Sequence, residues 1–175
     1  MSVTATYIRL AESALDDLRR DPDWIATVDR RKVLGAEAIN IDKACDGISW
    51  LLSRIPSPLP PISGGGFVMR RSLAHLVSGA GGREEPELDA GYGPAKLVSP
   101  AEVTELSAWL QSIDEAELRT AYDPKAMATD DVYPQIWMTH RESAFEEYLL
   151  PHFRALRGLV IEAARSSQAL IVCFT

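Results

Sequence analysis

The residues Ala169-Leu170-Ile171-Val172-Cys173-Phe174 form an uninterrupted apolar run at the end of the sequence. Its β-branched and aromatic residues favour a strand. A strand without a polar face has to be covered on both sides. The run therefore predicts a central strand of a small sheet. Residues 4–10, which include Thr, Tyr and Ile, predict a second strand near the start of the sequence.

The segment before the apolar run predicts the longest helix of the protein, over residues 143–165. Its apolar residues recur with helical spacing, which indicates one buried face. Pro151 lies inside this pattern and is expected to kink the helix, because proline lacks the backbone N–H group. The buried stripe consists of Phe145, Tyr148, Leu149, Phe153, Leu156, Val160 and Ala164.

Residues 43–54 predict the clearest amphipathic helix, since apolar residues from Ile41 to Ile55 follow the i, i+3, i+4, i+7 spacing. Asp42 directly precedes it and is expected to be its N-cap, where a carboxylate accepts free backbone N–H groups. Gly47 lies inside this helix at a cost of up to about 1 kcal/mol relative to alanine. A close neighbour is the expected reason for it.

The remaining segments predict shorter helices separated by loops. Ser99-Pro100-Ala101-Glu102 has the pattern of a capping box, and Asp114 starts a further helix in the same way. Asp123 before Pro124 marks a break with a turn or cap role. We also expect helices over residues 11–20, from residue 22, and over 67–77. An extended segment is expected to end at 97–98. Loops are expected over 56–66 and 79–87, and irregular structure over 131–134.

These elements predict an α/β fold, with an α+β variant open, in which several helices flank a small mixed sheet that contains the N- and C-terminal strands. We expect residues 1–175 to form a single domain, since this length is comfortable for one domain and tight for two.

The composition limits the kinds of partner. The net charge is −7 with an isoelectric point near 5.0, which argues against nucleic acid and against an anionic membrane surface. No apolar run approaches the roughly 20 residues that span a membrane, and the first residues lack the pattern of a signal peptide. Cys45 and Cys173 are expected to be buried thiols of a reduced compartment. We therefore predict a cytoplasmic protein.

Motifs for known chemistry are absent from the sequence. His75, His140 and His152 do not form a metal-binding spacing, and no CxxC pair exists. The glycine clusters at residues 64–66 and 79–82 lack the Lys and hydroxyl residues of a phosphate-binding loop. No serine lies in a GxSxG frame. We expect no metal and no cofactor.

Several segments, in order along nearly the whole chain, resemble the YfbM-like family of bacterial proteins, a family of unknown function. The resemblance implies a compact α/β domain with helices packed around a small sheet, and it brings no established activity, cofactor or catalytic residue. The matching segments are Tyr7-Ile8-Arg9-Leu10; Asn40-Ile41-Asp42-Lys43 with Ala44-Cys45-Asp46-Gly47-Ile48; Leu73-Ala74-His75-Leu76-Val77; Gly91-Tyr92-Gly93-Pro94-Ala95; Ser99-Pro100-Ala101-Glu102-Val103; Tyr122-Asp123-Pro124-Lys125-Ala126-Met127; and Val132-Tyr133-Pro134-Gln135-Ile136-Trp137, followed by the closing helix and strand.

Polar and aromatic residues of these segments are the candidates for a pocket, because binding residues concentrate on loops. The candidates are Tyr7, Arg9, Asp42, Lys43, Asp46, Tyr92, Asp123, Tyr133 and Trp137.

Two hypotheses about function stay open. The first is a non-catalytic binding module for a protein partner or a small ligand. The alternative is a small carboxylate-dependent hydrolase with a cleft near Asp42 and Tyr92, in which Asp42 or Asp123 acts on a substrate oriented by Lys43 or Tyr92. A homodimer is an ordinary arrangement for either.

Overall fold

A five-stranded sheet lies at the centre of the protein. The computed structural model describes residues 3–20, 36–56, 73–79, 81–89 and 92–175. The strands have the spatial order β2-β1-β5-β4-β3. They are β1 (Ala5–Leu10), β2 (Glu37–Asn40), β3 (Arg83–Asp89), β4 (Pro94–Val98) and β5 (Ala169–Phe174).

The apolar run β5 lies in the middle of the sheet, as its sequence predicts. It pairs with β1 on one side, where Tyr7 lies opposite Val172, and with β4 on the other, where Leu97 lies opposite Ile171. All four described ladders are antiparallel. The predicted α/β class is thus confirmed in its α+β variant, while the expectation of mixed strand directions is wrong. Each pair of neighbours in this sheet runs in opposite directions.

Eight α-helices are present in the described ranges. They are α1 (Leu15–Arg20), α2 (Ala44–Ser53), α3 (Leu73–Val77), α4 (Pro100–Ser112), α5 (Glu115–Ala121), α6 (Pro124–Thr129), α7 (Trp137–His140) and α8 (Leu150–Arg165). A 3-10 turn, Glu12–Ala14, leads into α1, and a π-helical segment, Ala144–Leu149, leads into α8.

Buried side chains form two cores, one on each face of the sheet. Alternation along β5 directs Leu170 and Val172 into the larger core and Ile171 and Cys173 into the smaller one. The larger core is formed with the helices from α2 onward, and the smaller one with α1. The two apolar faces of β5 are thus both covered, which is the condition that its sequence sets.

Three helix starts have the side-chain caps that the sequence predicts. Ser99 and Glu102 form a reciprocal capping box at α4, and Asp114 and Glu117 form another at α5. Asp123 accepts hydrogen bonds from the N–H groups of Lys125 and Ala126 at the start of α6. These three turns are therefore correctly read from local sequence alone.

The prediction of a loop over residues 79–87 is wrong, because β3 begins at Arg83. The segment has weak strand propensity, with five charged residues and Pro86 among its seven. It is an edge strand that pairs only with β4 and shifts register between Glu85 and Asp89. Edge strands tolerate proline. A buried carboxylate, Glu85, also ties β3 to Arg19 of α1 at 3.1 Å.

The long C-terminal helix is confirmed, with one irregular part. The π-helical segment Ala144–Leu149 ends two residues before Pro151, at which the sequence predicts a kink. Because Pro151 cannot donate a backbone hydrogen bond, the usual i to i−4 pattern cannot pass through it. π-Helical turns inside helices are frequent at functional sites.

Some sequence-based predictions fall outside the described residues. They are the helix from residue 22, most of the loop over 56–66, the first half of the helix over 67–77, and Gly91. Within the described ranges, no helix combines the length and the apolar character that crossing a membrane requires.

Substitution by alanine should change the free energy of unfolding in opposite directions at two helical glycines. A Cβ atom on Gly47 would lie 2.8 Å from Leu149 and 2.8 Å from the ring of Trp137, whereas one on Gly158 meets nothing within 4 Å. We expect Gly47→Ala to lower the free energy of unfolding, because overpacking costs about 1–3 kcal/mol, more than the gain in helix propensity. Gly158→Ala should raise it by about 0.5–1 kcal/mol. Urea denaturation measures both, and stabilisation by Gly47→Ala would contradict the packing described here.

Candidate functional site

A cleft of about 220 Å³ lies where the connection from β2 to α2 meets the start of β1 and the end of β5. Its walls come from four parts of the chain: residues 3–5, the stretch from Asp42 to Asp46, Tyr133 and Phe174. Convergence of separate segments on one concave space with a few polar groups is the usual form of a ligand site.

Asp42 is the most constrained residue of the cleft. Its backbone has a left-handed conformation with φ of 50°, which aspartate tolerates better than most residues. Its N–H donates to the side chain of Asn40 at 2.8 Å, and its carbonyl accepts from the N–H of Ala5 at 2.9 Å. The surrounding hydrogen bonds therefore hold this unusual conformation in place.

The prediction that Asp42 caps α2 is wrong. The N-cap position is occupied by Lys43, and no side chain caps the helix in the usual way. An N-cap residue normally has an extended backbone, which the left-handed Asp42 does not have. Its carboxylate instead accepts a hydrogen bond from the Tyr148 hydroxyl at 2.8 Å.

Tyr148 joins the long C-terminal helix to this turn. Its hydroxyl donates to Asp42 and also accepts from the backbone N–H of Lys43 at 3.0 Å. One phenol thus satisfies a free N–H group at the start of α2 and orients the neighbouring carboxylate. Tyr148 lies in the π-helical segment Ala144–Leu149, so the irregular turn of the helix carries the residue that supports the cleft.

Lys43 and Asp46 bring opposite charges to the cleft without neutralising each other. Within the described parts of the chain, neither the Lys43 ammonium nor the Asp46 carboxylate has a hydrogen bond or an ion pair. Asp46 is exposed overall, yet partial burial raises the pKa of its carboxyl above the usual value. Lys43 and Asp46 thus differ from other unpaired charged side chains of the described ranges, such as Lys125, in lining a cleft.

Cys45 lines the cleft, and Tyr7 is buried behind it. The Tyr7 hydroxyl donates to the carbonyl oxygen of Val77 and lies 3.4 Å from the sulfur of Cys45. Burial raises the pKa of the Cys45 thiol to about 12 and that of the Tyr7 hydroxyl well above its usual value. Since the thiolate is the reactive form of cysteine, Cys45 is not suited to be a nucleophile at neutral pH.

His152 lies next to the support of Asp42. Its ring contacts that of Tyr148 edge-on, with 5.1 Å between the ring centroids. Burial lowers the pKa of His152 below its ordinary value of 6.5, while the negative charge of Asp42 acts in the opposite direction. Asp42, Tyr148 and His152 therefore form one electrostatic group behind the cleft.

The structure brings four of the nine candidate residues together: Asp42, Lys43, Asp46 and Tyr133 all line the cleft. The Tyr133 hydroxyl accepts from the N–H of Val3 at 3.3 Å, which places it at the start of β1. Tyr7 adjoins the cleft through Cys45 and does not line it.

The other four candidates lie elsewhere. Arg9 pairs with Glu37 across the β1–β2 ladder, and Asp123 caps α6. Trp137 is fully buried, and its indole N–H donates to Val132 at 2.6 Å. Tyr92 is 45% exposed and does not line the cleft, although its N–H donates to the carbonyl of Phe174 at 3.3 Å.

Sequence reasoning missed Tyr148 and His152 as site residues. Both lie on the long C-terminal helix, where Tyr148 was assigned to the apolar stripe. A signal was present, because a tyrosine on a buried helix face needs a partner for its hydroxyl. The partner could not be identified, since Asp42 is more than a hundred residues away in the sequence.

A second groove, of about 370 Å³, lies between the end of α2 and α5. Its charged groups are already used within the protein. Arg54 pairs with Asp130 and stacks on the ring of Trp50, and the carboxylate of Glu117 accepts from the N–H of Asp114. This groove is larger than the cleft, and both of its described charged side chains already have a hydrogen-bond partner within the protein.

No three His, Cys, Asp or Glu side chains are arranged to hold a metal ion in the ranges that the structure describes.

Comparisons with known proteins agree on the fold. The family model described as "Domain of unknown function (DUF1877)" matches residues 1–173. The crystal structure of YfbM from Escherichia coli, a protein of unknown function, is similar with a TM-score of 0.67 and 16% sequence identity, over 98% of this chain and 99% of that one. No curated protein matches the chain. At this identity the structural similarity concerns the fold alone.

The bridge made by Tyr148 predicts a specific loss of stability. Tyr148→Phe removes a hydroxyl that donates to a carboxylate and accepts from a helix N–H, so we expect the free energy of unfolding to fall by about 1–3 kcal/mol. Tyr122→Phe is the control, because its hydroxyl donates only to the backbone carbonyl of Arg141. Chemical denaturation compares the two. Equal losses would contradict the special role of Tyr148.

The titration of His152 tests whether His152 interacts electrostatically with Asp42. We expect its midpoint by NMR to lie below 6.5, because burial disfavours the protonated ring. Asp42→Asn should lower the midpoint further by removing the charge that favours protonation. Since the folded pKa lies below the unfolded one, His152 contributes stability above about pH 6.5 that is lost on acidification. A midpoint unchanged in Asp42→Asn would show that the two groups do not interact.

Proposed function

This chain belongs to the DUF1877 family, whose model matches residues 1–173, and we propose that it is a non-catalytic domain that binds a small organic ligand in the cleft at Asp42. The proposal selects the small ligand from the two kinds of partner that the sequence leaves open. The cleft volume of about 220 Å³ favours this choice, because it fits a small molecule better than a protein segment.

One observation carries the proposal: Lys43 and Asp46 line the same concave space and have no charged partner among the described residues. An isolated charge that is partly removed from water costs free energy unless a partner compensates it. A bound ligand with complementary groups supplies that partner. The second groove, in which Arg54 is already paired with Asp130, has no such need.

The rigidity of the cleft also supports a binding role. Asp42 is held by Asn40, Ala5 and Tyr148, and Tyr133 is held by Val3. Groups fixed before a ligand arrives lose little conformational entropy on binding. A domain that only presents a surface to a protein does not require this arrangement.

The absence of an activated nucleophile favours binding over catalysis. Cys45 lines the cleft as a protonated thiol, because burial raises its pKa to about 12. Among the described residues that line the cleft there is no histidine to activate a hydroxyl or a thiol. The usual requirement for covalent catalysis is therefore not met by these side chains.

A carboxylate-dependent hydrolase is the second candidate, and one observation favours it. Asp42 and Asp46 share the cleft, and partial burial raises the pKa of Asp46. A raised pKa is typical of a carboxyl group that acts as a general acid. In this case Asp46 would exchange the proton, and Lys43 would orient the substrate.

The place of action is proposed to be the bacterial cytoplasm. Cys45 and Cys173 are both buried and form no disulfide, as is usual for proteins of a reduced compartment. The family resemblance to bacterial proteins favours the same setting. The acidic net charge of −7 makes a nucleic-acid partner unexpected.

A small-molecule fragment library tests the proposed binding. We expect some fragments to raise the melting temperature, since a ligand at 100 times its Kd stabilises the folded state by about 2.7 kcal/mol. Asp42→Asn and Asp46→Asn should abolish the shift. Asp123→Asn is the matched control, because it makes the same change at a helix cap outside the cleft and asparagine also caps helices.

The same variants separate the two candidates. Turnover of hydrolase substrates that disappears in Asp46→Asn and persists in Asp123→Asn would favour the enzyme. Fragments that shift all variants equally, or no fragment that shifts the wild type, would overturn the binding role of this cleft.

A further inference from the structure

The cleft is lined by charges of both signs. Lys43, Asp42 and Asp46 all line it. No ion pair joins the lysine to either carboxylate, and the Asp42 carboxylate accepts a hydrogen bond from Tyr148. The Lys43 ammonium and the Asp46 carboxylate therefore both lack a charged partner among the described residues.

The rest of the lining is largely apolar. Val3, Ala5 and Phe174 form walls between the start of β1 and the end of β5. Thr4, Cys45 and Tyr133 add neutral polar side chains. A ligand with charges alone would leave these walls exposed to water, so a matching ligand has an apolar part as well.

We propose that the cleft binds a small zwitterion of the α-amino-acid type, with an ammonium group, a carboxylate and a short apolar side chain. This inference rests on the proposed function and names the class of its ligand. Lys43 receives the ligand carboxylate, Asp42 and Asp46 receive the ammonium group, and Val3, Ala5 and Phe174 contact the apolar part.

The size of the cleft is consistent with this class. A volume of about 220 Å³ exceeds that of an apolar cavity of about 150 Å³ that binds benzene, a ligand of six non-hydrogen atoms. This is enough for a compact ligand of roughly ten non-hydrogen atoms, and too little for a peptide of several residues.

The charges also act against single-charge ligands. A simple amine leaves Lys43 unpaired near a second positive charge, and a simple carboxylate faces two carboxylates. Exclusion of such analogues by unfavourable charge contacts is a general source of specificity. The zwitterion is the class that offers a partner to the lysine and to the carboxylates at once.

Ligands with one carbon skeleton test the class directly. We would measure by calorimetry the binding of leucine, of 3-methylbutylamine, which lacks the carboxylate, and of 4-methylpentanoate, which lacks the ammonium group. Glycine tests the contribution of the apolar part. We expect leucine to bind at least tenfold more tightly than each of the other three, because a hydrogen bond to a charged group contributes about a tenfold to hundredfold factor.

Two variants assign the charges to the two ends of the ligand. Lys43→Met should weaken leucine binding about tenfold or more without weakening 3-methylbutylamine. Asp46→Asn should weaken leucine similarly without weakening 4-methylpentanoate. Lys125→Met on α6 is the control for the lysine change, because Lys125 is exposed and does not line the cleft.

The outcomes distinguish failure of the zwitterion proposal from failure of the proposed small-ligand binding. The amine or the carboxylate could bind as tightly as leucine or more tightly, and lose that binding in Asp46→Asn or Lys43→Met. This result would overturn the zwitterion as the ligand class, and the cleft would still be a small-ligand site. The same holds if fragments of another chemistry bind there while leucine does not. Absence of any binding across these ligands and the fragment library would overturn both proposals.

Discussion

Burial of β5 on both faces is the constraint that organises this protein. A strand with six apolar residues in succession cannot leave either face in water. It therefore takes the middle of the sheet, with the large helical core on one side and the smaller core with α1 on the other. The edge positions fall to β2 and to the charged β3, whose composition suits contact with solvent.

The cleft is a consequence of this arrangement. The end of β5 brings Phe174 beside the start of β1, and the turn after β2 runs across the same end of the sheet. Hydrogen bonds between Ala5 and the turn at residues 41–42 fix that crossing. The long C-terminal helix then supplies Tyr148, which holds Asp42 in its left-handed conformation. Strand pairing thus determines where the cleft lies, and the Tyr148 hydroxyl orients the Asp42 carboxylate beside it.

Local sequence predicted what depends on neighbouring residues. The central strand, the caps at Ser99, Asp114 and Asp123, and the tight packing around Gly47 are set by short-range patterns or by the exclusion of side chains. The edge strand β3 was missed, because its position depends on pairing with β4 and on the distant Arg19, and these outweigh a poor strand propensity.

The candidate site was predicted only in part, because some of its contacts join residues that are far apart in the sequence. Asp42, Lys43 and Asp46 lie within five consecutive residues, so the sequence identifies them as one group. Tyr133 and Tyr148 contact this region from distant parts of the chain. The expected cap role of Asp42 failed because its backbone is left-handed and its carboxylate accepts from the distant Tyr148 instead. No single-sequence pattern encodes a contact between residues 42 and 148.

Binding of a small ligand in the cleft at Asp42 is tested most directly by mapping backbone amide shifts by NMR, during titration with the ligand that stabilises the protein most. We expect the largest changes at residues 3–5 and 42–46, Tyr133 and Phe174. Changes confined to the groove between the end of α2 and α5, around Arg54 and Thr120, would contradict it.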